Sequence, residues 1–188
     1  WTSEQLQTSL YNGCPKFQSI LKNIVATTLD QHQKCFVRSD FKSQGIYLFS
    51  AFLTANGIDH VYINGKLKLS QQHKLLLAFN NGTKVQTKDG NSFVPMILLL
   101  DNDSSEGINL IATEHIHLLE PMLHQSQIDQ VVARAVRYNS HVMLPRDRQC
   151  VYVHTYLGTL DTKHMLTKEQ RYYIKLFLDR KSTRLNSS

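Results

Sequence analysis

The sequence predicts an α/β domain with a mostly parallel central sheet and helices on both faces. Three observations carry that expectation. Helical and strand patterns alternate along the chain, the order that builds a parallel sheet. The run Met96-Ile97-Leu98-Leu99-Leu100 is apolar at every position, as in a strand covered on both sides. The length of 188 residues, with 41% apolar side chains, suits one domain with a substantial core.

The elements follow in order. Residues 1–14 read as a polar upstream linker ending near an Asn12-Gly13 turn signal. Pro15 suits the first position of a helix, and Phe17, Ile20, Leu21, Ile24 and Val25 follow at helical spacing. Residues 34–38 read as a short strand. Ser39, Asp40 and Ser43 are cap candidates for the next helix, whose apolar residues include Ile46, Phe49, Phe52 and Leu53 and which Asn56-Gly57 ends. His60–Ile63 is a strand closed by Asn64-Gly65. Ser70 is the expected cap of a third helix stopping at Asn80-Asn81-Gly82. Residues 81–92 read as an exposed polar loop, and Met96–Leu100 as a central strand. His115–Leu119 is a further strand, 125–138 a helix and Val151–Tyr156 a strand. Residues 167–180 have the pattern of a last helix, with Thr167 as cap and Gln170 at the capping-box position.

Composition narrows the function classes. Twenty-one Lys and Arg against 15 Asp and Glu give a net charge of +6, which permits a nucleic-acid partner without requiring one. Three cysteines, with no C-x-x-C spacing, do not make a disulfide framework, and an intracellular, reducing location is expected. No stretch approaches the ~18–20 apolar residues of a membrane span, so no membrane partner is expected. The chain opens at Trp1 without an initiator Met and closes on Lys181–Ser188, which resembles a translated adapter scar. It is expected to be a piece of a longer protein with a non-native tail at 181–188.

Two segments could carry chemistry. Asp101–Leu110 follows the most apolar strand, and ligands of open α/β sheets lie beyond the carboxyl ends of strands. It is rich in acidic and hydroxyl residues, and Gly107 permits close backbone approach. The same residues would equally serve an Asx turn and a helix cap. The second segment is Gln127–Arg137. At 3.6 residues per turn, Ile128, Val131, Val132 and Ala135 share one face and Gln127, Gln130, Arg134 and Arg137 the other. Two guanidinium groups on one rigid stripe suit phosphate recognition, and equally a solvated basic face. His115 and His117 fall on one face of a strand; no third ligand follows at a recognised spacing, so a packed pair is expected and no metal site. Cys35 and Cys150 read as core thiols in strands, and Ser140-His141 receives no nucleophile role.

The ordered set of motifs resembles a known family. Glu106-Gly107-Ile108-Asn109-Leu110 looks like motif V of superfamily 2 helicases and translocases, and Gln130-x-x-Ala133-Arg134-x-x-Arg137 looks like motif VI. The segment His115–Pro121 between them fits, as do Ser140-His141, Leu144-Pro145, Arg148 and the Val-Tyr-Val strand beyond. Pro15-Lys16-Phe17 and Val37–Phe41 resemble the family's opening helix and motif IV. The match keeps its order over residues 13–157 and looks most like the helicases and ATPases of large nucleocytoplasmic DNA viruses, with Swi/Snf motors more distant. The sequence departs from the pattern at Ala133, where the family has Gly, and at Ser104, Ser105, Arg38 and His73.

The resemblance implies the second RecA-like lobe of a two-lobed motor: a three-layer domain over 15–160, with a helical extension over 161–180. It implies an enzyme, an ATP-dependent helicase or translocase, as part of a longer protein. ATP with Mg²⁺ would be bound mainly by an N-terminal lobe absent from this sequence, which contains no G-x-x-x-x-G-K-[ST] and no D-E-x-H-like strand end. The chain alone is then expected to be inactive. Arg137 and Arg134 would be the catalytic arginines; Gln130, Glu106 and Gly107 would contact nucleotide. Ser39, Lys42, Ser104 and Ser105 would hold the backbone of DNA, or of RNA. The arginine pair is expected at a rim formed by the tips of the central strands. If viral, the protein would work in the host cytoplasm or the virion. The alternative is a nucleic-acid-binding or structural module that kept the fold without ATPase activity.

Overall fold

In a computed structural model, residues 14–87, 90–101, 108–122 and 124–157 are described. The elements are α1 (Pro15–Ile24), β1 (Lys34–Ser39), α2 (Tyr47–Ala55), β2 (Val61–Ile63), α3 (Leu69–Asn81), β3 (Val85–Gln86), β4 (Ser92–Phe93), β5 (Ile97–Asp101), β6 (Thr113–Leu118), α4 (Gln125–Ala135) and β7 (Tyr152–Thr155). Five strands form one sheet in the order β2-β5-β1-β6-β7, and every pairing in it is parallel. The α/β class with a mostly parallel sheet is therefore correct.

The strand pleat explains the two cores. Successive side chains alternate between faces. Cys35, Val37, Ile97 and Leu99 meet Phe17, Ile20 and Ile24 of α1 and Phe49, Phe52 and Leu53 of α2. Phe36, Val61, Ile63, Leu98, Leu100, Ile116 and Leu118 meet Phe79 of α3 and Val131 and Ala135 of α4. β5 lies inside the sheet and is buried at every residue, as its unbroken apolar run requires. Pro15 opens α1 as its first residue. Gly82, in the left-handed region at φ 65°, ends α3 where the Asn-Asn-Gly stop is read.

Several local expectations change. The turn after β1 is a π-helical turn over Lys42–Ile46 with Phe41 at its N-cap and no side-chain cap; Ser39 is occupied elsewhere. The third helix starts at Leu69, one residue before Ser70, because the Gln71 side chain accepts the Lys68 N–H at 3.3 Å. The loop over 81–92 contains the two-stranded β3–β4 hairpin. Cys150 precedes β7 and is half-buried, whereas Cys35 is fully buried in β1. The helix expected over 125–138 ends at Ala135, with Val136 leaving helical geometry at ψ 76°. Residues 1–13 and 158–188, with the expected linker, extension and tail, lie outside the described residues. Among the described residues no helix is long and apolar enough to cross a membrane.

Candidate functional site

α4 keeps its expected apolar face: Val131 and Ala135 are buried, and Ile128 and Val132 pack beside them. Gln127 and Gln130 are exposed, and Arg134 is half-buried on the last turn. Arg137 lies beyond the helix in an exposed turn, so the two arginines do not share one helical stripe. The reason is Ser140. Its Oγ sits 2.7 Å from the Ala135 carbonyl oxygen and accepts the Arg137 N–H at 3.2 Å. A single side chain thus satisfies groups that a longer helix would have paired internally. Asn139 turns the chain back with φ 61°, a conformation asparagine tolerates better than most residues.

This turn is fixed to the segment between β5 and β6. The Leu110 N–H donates to the Arg134 carbonyl at 3.0 Å, and the Ala112 N–H to the Ser140 carbonyl at 2.8 Å. From α3, the Asn80 side chain donates to the Asn109 carbonyl at 2.9 Å and accepts the Ile111 N–H at 3.0 Å. His141 adds a further tie, its Nε2 lying 2.9 Å from the Thr113 carbonyl oxygen and its Nδ1 2.8 Å from Ser140 Oγ. An N–H on Nε2 suits the carbonyl, which cannot donate. The segment from Leu110 to Thr113 and the turn that ends α4 therefore form one hydrogen-bonded unit. Ser104, Ser105, Glu106 and Gly107 lie outside the described residues. Asn80 and Ser140 were not read from the sequence as site residues. Asn80 carried only the signal of a helix stop; Ser140 carried the Ser-His pair of the resemblance.

The position of this unit corrects one expectation. Ala112 immediately precedes β6, which Thr113 opens and which runs parallel to β1 and β7. The backbone of the Arg137 turn therefore stands at the amino end of β6, not at the carboxyl tips of the central strands.

Ser39, the last residue of β1, lies at those tips. Ser39 is 1% exposed, and its hydroxyl donates to Glu120 Oε1 at 2.8 Å while the Asp40 N–H donates to Glu120 Oε2 at 3.1 Å. Burial raises the Glu120 carboxyl above its usual range, and the Ser39 hydrogen bond opposes that shift. Ser39 thus ties the loop to the end of β6 and does not face solvent. Arg38 pairs with Asp40 at 2.9 Å. Lys42 is exposed and lines a cavity at this end of the sheet.

The two strand histidines do share a face, with β7 beside them. His115 Nε2 donates to Gln33 Oε1 at 2.7 Å, which leaves its Nδ1 to accept from His154 Nε2 at 2.9 Å. Asn23 donates to the Tyr156 hydroxyl at 2.8 Å, and that hydroxyl lies 2.7 Å from His117 Nδ1. The rings of His117 and His154 stack with centroids 4.7 Å apart. Burial is the first cause lowering all three, with His115 brought to about 4 and His117 to about 3. These are neutral, packed imidazoles, as expected of the pair; among the described residues no cluster of three or more His, Cys, Asp or Glu could hold a metal.

No family profile matches the chain. It is 25% identical over 162 residues to an Acanthamoeba polyphaga mimivirus protein named as an ATP-dependent RNA helicase, covering 86% of this chain and 33% of that protein. A second mimivirus protein named in the same way is 29% identical over 162 residues, covering 77% of this chain and 26% of that protein. A termination factor NPH-I homolog of African swine fever virus is 28% identical over 101 residues, covering 54% and 14% respectively. The chain thus spans about a third or less of these relatives. Among solved structures, the C-terminal part of the Fun30 ATPase domain matches with a TM-score of 0.58 and 17% identity, over 74% of this chain and 40% of that one. The Pyrococcus furiosus Hef helicase domain matches with a TM-score of 0.52 and 17% identity, over 86% and 28%. The chain is thus similar in sequence to viral proteins named as helicases, and it shares its RecA-like α/β fold with solved helicase and ATPase domains.

Proposed function

We propose that this lobe is the C-terminal half of an ATP-dependent nucleic-acid helicase or translocase, and that Arg137 and Arg134 act on the phosphates of ATP bound against an N-terminal lobe of the same polypeptide. The observation that carries the reading is the bond from the Leu110 N–H to the Arg134 carbonyl, which joins the motif V segment to the motif VI helix. A group that senses phosphate on one segment is thereby linked to a segment that leads back toward the strand tips. Arg137 is the arginine finger: exposed, on a turn fixed by Ser140, and permanently charged. Arg134, half-buried, is a second phosphate or inter-lobe contact. Gln130 orients these groups, and Glu106 with Gly107 contacts the nucleotide. The Mg²⁺ that accompanies ATP is held mainly by the other lobe, and this chain alone does not hydrolyse ATP.

Nucleic acid crosses the carboxyl end of the sheet, held by Lys42, Ser104 and Ser105, while Ser39 shapes the loop beside them. Lys42 supports this by its exposure at that end, and the net charge of +6 favours a polyanion. DNA is the expected strand; the mimivirus relatives carry the name of RNA helicases, so both are test substrates.

The test is ATPase activity of the full-length parent protein with and without DNA. Arg137→Ala should lower turnover by ~10³ or more, the scale of a lost arginine finger. Turnover within a few-fold of wild type would sink the assignment.

A further inference from the structure

A cavity of about 500 Å³ opens at the carboxyl ends of β2 and β5, lined by Lys42, Ser43, Tyr47, Tyr62, the turn Asn64-Gly65-Lys66, and Asp101. That volume falls within the range of small organic ligand sites. The lining is ordered by charge. Asp101, 2% exposed, is the least exposed of these groups, whereas Lys42 and Lys66 are exposed. A phosphate is therefore favoured beside the exposed lysines over the buried carboxylate. What suits the interior is a flat ring with N–H groups on its edge, which a carboxylate can accept.

The aromatic groups match that ring. Tyr47 is the first residue of α2 and 63% exposed; Tyr62, in the middle of β2, is half-buried. Burial and the charges of Asp101 and Tyr47 raise the Tyr62 hydroxyl above its usual range, in keeping with the three groups sharing one site. The Lys66 turn is held in place. The Lys66 N–H donates to Asn64 Oδ1 at 3.0 Å, and the Gln72 side chain of α3 donates to the Asn64 and Leu67 carbonyls at 3.3 and 2.9 Å.

We propose that this cavity takes a single unpaired base of the bound strand, stacked on Tyr47 and Tyr62, with the adjoining phosphates at Lys66 and Lys42. The proposal rests on the reading that nucleic acid crosses this end of the sheet, and it adds a base site to a track otherwise made of backbone contacts. The nucleotide arginines lie toward the amino end of β6, so the ring in this cavity belongs to the strand and not to ATP. Stacking tolerates every base, which suits a motor that moves along any sequence.

The experiment measures binding of this chain to short labelled single strands, as DNA and as RNA, and to abasic strands of the same length and charge. Tyr47→Ala should weaken binding of the base-bearing strand roughly tenfold and leave the abasic strand within about twofold, while Tyr47→Phe keeps wild-type affinity. Tyr47 is largely exposed, so its truncation leaves the core intact. An equal loss on both strands, or no loss on either, overturns the base site while leaving the nucleic-acid track standing. If the wild-type chain binds neither strand at low salt, the track and the base site fall together.

Discussion

Glu114 is a carboxylate in the interior strand β6, with a side chain only 3% exposed. Arg148 answers it with two bonds, Nε to Oε2 at 2.8 Å and Nη2 to Oε1 at 2.5 Å, and Nη2 also lies 3.3 Å from the His32 carbonyl oxygen. Those bonds raise the arginine further above its usual range. Removing the guanidinium leaves a buried charge without its partner, the expensive way to break an ion pair. Arg148→Met should therefore cost about 3 kcal/mol in urea unfolding, and adding Glu114→Gln should return part of it. A loss near 0.5 kcal/mol would mean that the pair behaves as an exposed one. Arg148 was legible in the sequence as one position in an ordered motif set. Glu114 was not, because one acid beside two histidines in a strand gives no sign that all of them face inward. Gly45 is similar: a Cβ there would overlap the Ser39 side chain, yet nothing in its neighbours announces the approach.

At the scale of elements, periodicity located the helices and strands because each buries one face, and burial leaves a repeat in the sequence. Ends were less legible where a distant side chain sets them. Nothing local says that α4 stops at Ala135; the Ser140 hydroxyl, five residues on, takes the carbonyl there. Likewise the two halves of the site were readable as motifs, but not their place, because the bonds from Leu110 and Ala112 to the α4 turn are backbone contacts. Ser140→Ala removes an acceptor from the Arg137 N–H and a partner from a buried carbonyl. The expected cost is about 1–2 kcal/mol of stability. Amide exchange at Arg137 should quicken, and Ser140→Thr should restore protection. Unchanged exchange at Arg137 in Ser140→Ala would show that the turn is held by its other bonds.

For the molecule as a whole, the histidine stack sets how stability responds to pH. His115, His117 and His154 are neutral in the fold, their proton affinities lowered first of all by burial. In the unfolded chain each returns to about 6.5. Above that value both states are neutral and the stack contributes fully. Between about 6.5 and the folded values near 4 for His115 and 3 for His117, the unfolded chain binds protons that the folded chain refuses, so stability falls as pH falls. His117, the most deeply buried, removes up to about 1.4 kcal/mol per pH unit in that window, and His115 and His154, which solvent screens more, add less in the same direction. The hydrogen bonds give the structural reason: His115 already accepts from His154, and the Tyr156 hydroxyl beside His117 Nδ1 is itself held by Asn23, so a further proton must break this relay. Urea unfolding from pH 7.5 to pH 4.5 should show the midpoint dropping steeply below about pH 6.5. His117→Gln, which has no proton to gain, should flatten that slope. An equally steep slope in the variant would assign the acid sensitivity to the carboxylates instead.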